Sequence, residues 1–364
     1  MSNRIYINDD WTFTESFSEK FLTEDSKEST KVFLPHTVKE TPFNYFDESI
    51  YQMVSGYKKT ISVPKNWQNK SVRLTFEGVA HQATVYINGK EKVTHNCGYT
   101  AFTIDVTNEI EGKDTLDIAV KVDSRETLNQ PPFGFVIDYM TYGGIYRDVY
   151  LEVSEKTYIE KIFIYSEIKE NNTFLGTHIR IMNPGRKPLV IKQTVNGKTF
   201  VKEVDGNGGL ESQLIEFRMD AGNVKFWDID SPNLYEVVTE LYDTKDKLID
   251  TFTEMHGFRK SEFKEDGYYL NGKKVKIRGL NRHQSYPYVG YAMPASMQKL
   301  DADILKYELG LNAVRTSHYP QSQHFIDECD KLGLLVFTEI PGWQHIGDET
   351  WQDIAVANTR DMVV

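Results

Sequence analysis

Four side chains stand where this sequence offers chemistry: Asp138, His283, His318 and Glu339. His283 closes the run Val275-Lys-Ile-Arg-Gly-Leu-Asn-Arg282, and His318 closes Asn312-Ala-Val-Arg-Thr-Ser317. Glu339 closes Leu334-Leu-Val-Phe-Thr338. Each therefore sits just past a short β-rich segment. An imidazole there can donate to a hydroxyl, hold a metal or exchange a proton near neutrality. One such histidine is more simply a satisfied polar residue under a loop. Two in register, at the ends of successive strands, favour function. No His-x-x-x-His and no sequence-local carboxylate–His pair supports a metal. Glu339 reads as a positioning carboxylate, with a structural ion pair as the alternative. Asp138 lies in the aromatic, Gly-rich stretch Phe133-Gly-Phe-Val-Ile-Asp-Tyr-Met-Thr-Tyr-Gly-Gly-Ile-Tyr-Arg147. That loop is long for a plain hairpin. Its rings can stack on a sugar, and its carboxylate can accept paired hydroxyl hydrogen bonds.

Positioning these groups falls to the elements before them. The segment from Gly267 to Trp343 alternates three β-rich runs with two helical stretches, the parallel βαβ grammar. A (β/α)8 barrel places its chemistry at the C-terminal ends of such strands. The first helix, from near Ser296, has apolar residues at Met297, Leu300, Ile304, Leu305 and Leu309, one face of a 3.6-residue period, and ends at Gly310. The second, from Ser322, is predicted to bury Phe325, Ile326, Cys329 and Leu332 and to end at Gly333. A third runs from Thr350 to about Met362.

Upstream the pattern is all-β. Residues 1–154 carry short alternating strands such as Val72–Phe76, Ala83–Ile87, Thr115–Val122 and Asp148–Val153, with a tight turn at Asn88-Gly89, which predicts a jelly roll. Residues 155–262 repeat the pattern at the size of an immunoglobulin-like sandwich, with turns at Asn183-Pro-Gly185 and Asn196-Gly197. Residues 263–364 hold the start of the barrel. The Gly206–Gly209 loop has no helix after it and reads as a plain loop, not a phosphate cradle.

Composition narrows the partners. A net charge of −11 argues against nucleic acid, which needs a basic footprint. No apolar run approaches the roughly 18 residues that span a membrane, and Met1 to Asp10 lacks a signal-type apolar stretch, so the cytoplasm is the expected location. Cys97 and Cys329 fall in different domains, which gives neither a disulfide framework nor a cysteine metal cluster.

At this point the residues match a family. The chain resembles glycoside hydrolase family 2, the bacterial β-galactosidases and β-glucuronidases. Gly78-Val-Ala-His-Gln-Ala-Thr-Val-Tyr-Ile-Asn-Gly-Lys90, Gly98–Val106 and Gly143-Gly-Ile-Tyr-Arg-Asp-Val149 are similar to its sugar-binding jelly roll. Trp227–Tyr235 and Gly257-Phe-Arg259 are similar to the end of its immunoglobulin-like domain. Arg278-Gly-Leu-Asn-Arg-His283 and Arg315-Thr-Ser-His-Tyr-Pro320 resemble its first two barrel strands.

The resemblance implies an exo-acting retaining β-glycosidase acting on terminal β-linked sugars, a β-galactosidase first and a β-glucuronidase next. A non-catalytic carbohydrate-binding β-sandwich protein is the alternative. It implies that His283 and His318 bind sugar hydroxyls and that Asp138 reaches in from the jelly roll. The family's acid/base, a Glu after Asn at strand four, and its nucleophile, a Glu at strand seven, are expected beyond Val364; Asn108-Glu109 is no match. The 364-residue chain is accordingly expected to be inactive alone and to associate, as a homo-oligomer, through Leu334–Phe337. No cofactor is expected. The family's magnesium-binding Glu-x-His is absent from Glu339-Ile-Pro-Gly-Trp-Gln-His345, which also weakens galactose against other β-linked sugars.

Overall fold

In the first 154 residues, side chains that alternate along each strand line up on one face. In Thr115–Asp123, Leu116, Ile118, Val120 and Val122 point one way and are all buried. That periodicity forces two sheets to share one core. The computed structural model, which describes residues 4–24, 27–44, 47–169, 172–206, 212–342 and 344–363, shows the pair. One sheet has six strands in the order Thr30–Val32, Trp11–Thr14, Val54–Ser62, Thr115–Asp123, Gln82–Ile87, Lys90–His95. The other has four, in the order Arg4–Tyr6, Val149–Ser154, Ser71–Phe76, Phe102–Asp105. Trp11, Tyr57, Leu74, Phe76, Val120 and Leu151 fill the space between them. Asn88 and Gly89 turn the hairpin with φ of +49° and +76°, the left-handed pair that a two-residue turn requires.

The second sandwich packs Tyr158–Lys169, Asn172–Met182 and Ser212–Asp220 against a sheet of Lys198–Val204, Leu189–Val195, Tyr235–Asp243 and Leu248–His256. Its core of Ile159, Ile179, Ile181, Ile191 and Leu241 also contains a buried amide. Gln193 accepts from Thr177 Oγ1 and donates to Thr239 Oγ1, each at 2.9 Å, so burying it leaves neither polar end unpaired. Residues 207–209 of the Gly206–Gly209 loop, and Trp343, lie outside the described residues.

The barrel segment begins later than the apolar pattern suggests. Gly267–Leu270 pairs antiparallel with Ser261–Lys264 on one side and with Lys273–Val275 on the other, so this first β-rich run is mostly a small separate sheet. The parallel strands are Gly279–Asn281, Ala313–Arg315 and Leu335–Phe337, in that order. Between them lie helix α1 (Ala295–Asp303), continued by a π-helical turn Ile304–Glu308, and helix α2 (Gln323–Leu332). Helix α3 (Glu349–Val363) follows the third strand. Among the described residues, no helix is long and apolar enough to cross a membrane.

Two sequence expectations need correction here. Helix α1 does not bury Leu300 and Leu309, which are exposed; it turns Gln298, Ala302 and Leu305 inward. The apolar period lost because the buried Arg282 guanidinium demands Gln298 and Asp301 on that face. Leu334–Phe337 is not a uniformly exposed strip either. Leu334 is buried with Ala302, Phe325 and Cys329, and Leu335 packs on the cluster of Trp227, Tyr268 and Leu270. Helix α2 buries Phe325 and Cys329 fully, and Ile326 and Leu332 in part.

The second sandwich is tied to the barrel by polar contacts that need a close approach. Trp227 Nε1 donates to Asp330 O at 2.7 Å, and Lys306 Nζ donates to Ile229 O at 2.6 Å and Gly333 O at 3.2 Å. Gly333 caps α2 at φ +74°, and a Cβ there would sit 2.5 Å from Ile229 O. Gly310 has φ +63° with open space around it. Alanine at Gly310 should therefore cost about 1 kcal/mol for the left-handed conformation alone. Alanine at Gly333 should cost clearly more, because the backbone junction must also shift. Urea denaturation of the two variants checks this; equal losses would show that the approach to Ile229 is not tight.

Candidate functional site

The site is built from the strand ends and from one loop of the jelly roll. Beneath it lies Arg282, 6% exposed. It donates from Nε and Nη2 to Asp301 Oδ2 at 2.9 and 2.6 Å, from Nη1 to Gln321 Oε1 at 2.6 Å and from Nη2 to Gln298 Oε1 at 2.9 Å. Gln321 Nε2 donates back to Arg282 O at 2.5 Å. A buried charge this fully paired holds fixed the residue just before His283.

A second buried arginine does the same from the jelly roll. Arg147 donates from Nη2 to Gln284 Oε1 and to Pro320 O, each at 2.8 Å, and from Nη1 to Tyr99 O at 3.0 Å. Gln284 follows His283 and Pro320 lies two residues past His318, so one guanidinium clasps both loops. Tyr99 stacks on Tyr319 at 4.2 Å with the rings 9° from parallel. Tyr99, Tyr146, Tyr291 and Tyr319 are all buried and pack as one aromatic wedge between jelly roll and barrel.

On this base the two histidines come together. The His283 and His318 rings lie 5.4 Å apart at 76°. Tyr139 lies 5.1 Å from the first and 5.7 Å from the second. His283 Nδ1 and the Tyr319 hydroxyl are 3.2 Å apart. His318 Nδ1 meets Glu339 Oε1 at 3.1 Å, while Arg315 Nη2 donates to Glu339 Oε2 at 2.8 Å. Both Glu339 oxygens are thus engaged, which orients the His318 ring. Asp138 is exposed, next to Tyr139, and its charge acts on His283. His345, which closes the stretch where the magnesium-binding pair is absent, packs edge-on against Trp351 at 5.6 Å.

Burial lowers the His283 pKa below the usual imidazole range; His318 adds to this, and Asp138 and Glu339 oppose it. The ring is neutral at pH 7, so it both donates and accepts a hydrogen bond, as sugar hydroxyls require.

Sequence reasoning missed Arg147, Arg282, Tyr139 and Tyr319 as parts of the site. Each lies inside a stretch singled out for another residue. The available signal was an arginine placed directly against buried strand ends, where an unpaired charge is not tolerated.

The comparisons with known proteins cover the same three units. Residues 17–154 match the glycosyl hydrolases family 2 sugar binding domain, 157–259 match glycosyl hydrolases family 2, and 262–361 match its TIM barrel domain. The chain belongs to glycoside hydrolase family 2. It is 43% identical to a β-galactosidase of Thermoanaerobacterium thermosulfurigenes over 373 aligned residues, which covers 100% of this chain and 52% of the relative. A Thermoanaerobacter pseudethanolicus β-galactosidase is 41% identical, covering 98% and 49%. Among solved structures, a Bacteroides uniformis β-glucuronidase superposes with a TM-score of 0.88 at 28% identity, covering 99% of this chain and 45% of that one. The chain thus spans about half the length of the curated relatives it matches. This family 2 chain combines a jelly roll, an immunoglobulin-like sandwich and part of a TIM barrel.

Buried imidazoles also set its acid response. Burial lowers His36, His95 and His256 to about 4 and His81 to about 3, in the same direction as His283. Folded-state values lie below the unfolded value near 6.5, so the unfolded chain binds more protons through this window. Stability is fully present above pH 6.5 and falls as pH drops, by about 1.4 kcal/mol per pH unit for each such histidine. His324, raised by Asp148, and Glu254, pushed up to about 7 by burial and by Asp327 and Asp330, have the opposite sign but are fewer. Urea midpoints should be lower at pH 5.5 than at pH 7.5; an equal or higher midpoint at pH 5.5 would refute this balance.

Proposed function

We propose that this chain forms the sugar-binding half of a retaining exo-β-glycosidase whose substrate is a terminal β-galactoside. The observation that supports it best is the convergence of His283 and His318 at adjacent parallel strand ends, beside Tyr139 and Asp138 from the jelly roll. Two imidazoles and a carboxylate offer donors and acceptors to neighbouring hydroxyls, while Tyr139 presents a ring face. Asp138 accepts from a pair of hydroxyls, a charge-assisted and therefore strong contact. Glu339 holds His318 in place. The Thermoanaerobacterium and Thermoanaerobacter relatives are both named β-galactosidases, which favours galactose over glucuronate.

The reaction needs two further carboxylates, one to protonate the glycosidic oxygen and one to form the glycosyl-enzyme. By family resemblance these come from later barrel strands. The 364-residue chain alone should therefore leave 4-nitrophenyl β-galactoside unhydrolysed.

In the protein expressed from its complete reading frame, His283→Ala and His318→Ala should each lower kcat/KM for that substrate by more than tenfold, with little loss of stability. Asp138→Asn should alter selectivity among sugars more than it alters folding. Full activity in either histidine variant removes that residue from the site. Faster turnover of the β-glucuronide than of the β-galactoside would overturn the substrate assignment but leave the site intact.

A further inference from the structure

Away from the candidate site, three side chains from three elements converge at the joint of jelly roll and barrel. Glu77 follows the strand Ser71–Phe76, Asp148 leads into Val149–Ser154, and His324 is the second residue of α2. One ligand atom from each lies within 4.8 Å of the other two. His324 Nε2 and Asp148 Oδ2 are 3.1 Å apart. The site is pre-oriented from behind. Asn8 Nδ2 donates to Asp148 Oδ1 at 2.8 Å, and Asn8 Oδ1 accepts from Val149 N at 2.9 Å. This fixes the Asp148 carboxylate with its other oxygen toward His324, as outer partners of metal ligands do. The Glu77 backbone is locked to the same spot, its N–H donating to Asp148 O at 3.0 Å.

Burial acts against ionisation of Glu77, and the neighbouring Asp148 carboxylate adds to this. The nearby cations answer this incompletely. Among the described residues, the hydrogen bonds of Arg147 go to backbone carbonyls and Gln284, and Arg4 pairs with Glu152 at 3.7 Å. No hydrogen bond from a described residue reaches the Glu77 carboxylate oxygens.

We propose that Glu77, Asp148 and His324 form a divalent-metal site of the zinc class that staples the jelly roll to the barrel helix α2. Two carboxylates and one imidazole are a donor set that zinc accepts, with water completing the tetrahedron. The nitrogen donor favours zinc over magnesium and calcium, which prefer oxygen ligands. Binding asks for small rotations only: ligand atoms on one zinc stand roughly 3.3 Å apart, given bonds of about 2.0–2.2 Å. Sequence spacing hides the site, since Asp148 and His324 are 176 residues apart.

The test is calorimetric titration of the chain at pH 7.5 with ZnCl2, MnCl2 and MgCl2, alongside the melting temperature with and without metal. Glu77→Gln and His324→Gln are the variants, each first shown to be folded by circular dichroism without metal. The expected result is one zinc per chain, tighter than manganese and much tighter than magnesium, with a higher melting temperature when zinc is bound. Each variant should weaken zinc at least tenfold and abolish the thermal shift. Absence of binding at 100 µM zinc would show an ordinary ion triad and overturn the proposal. So would binding that both variants retain, since the ion would then sit elsewhere.

Discussion

The guanidinium of Arg147 is the contact on which the rest of the site depends. It is 7% exposed, and it donates to neutral acceptors: three carbonyls and the side chain of Gln284. A buried charge satisfied in this way has little freedom, because each acceptor must hold its position or leave the cation unpaired. Two of those acceptors belong to the loops that carry His283 and His318. The jelly roll therefore does more than present Tyr139 and Asp138 to the barrel. It fixes the geometry of the barrel's own histidines.

Arg282 complements it from below. Its carboxylate partner, Asp301, and its amide partner, Gln298, come from α1, and Gln321 comes from the loop before α2. The two arginines divide the work: Arg282 ties the first strand end to the helices, and Arg147 ties both strand ends to the jelly roll. The aromatic wedge fills the remaining space, with Tyr319 touching both Tyr99 and His283. Interlocked hydrogen bonds and ring contacts of this kind restrict each side chain through its neighbours.

Much of the fold was legible in the sequence, and the reason is periodicity. Burial alternates strictly along Leu189–Val195 and largely along Thr115–Asp123, because each has one face on a core, and the sequence pattern places both to within a residue. Helix α1 defeated the same reasoning. Its inward face carries Gln298 to serve Arg282, so polarity there signals burial and not exposure. The residues singled out as chemical do converge, but what the arginines beneath them bind was not legible. Their partners are scattered from Glu77 to Gln321, and only the folded chain brings those positions together. Tyr139 is hidden differently: it is one of several aromatic residues in the loop 133–146, and nothing in their spacing sets it apart.

The clasp by Arg147 is tested most directly by amide hydrogen exchange on Arg147→Met, an uncharged side chain of similar length. Loss of charge-assisted hydrogen bonds worth about 2 kcal/mol should speed exchange roughly thirtyfold in segments 282–290 and 316–322 together. Strand Asn172–Met182, in the other sandwich, should be unchanged. Unaltered protection in both loop segments of a folded variant would contradict the account, since the histidines would then be held without the jelly roll.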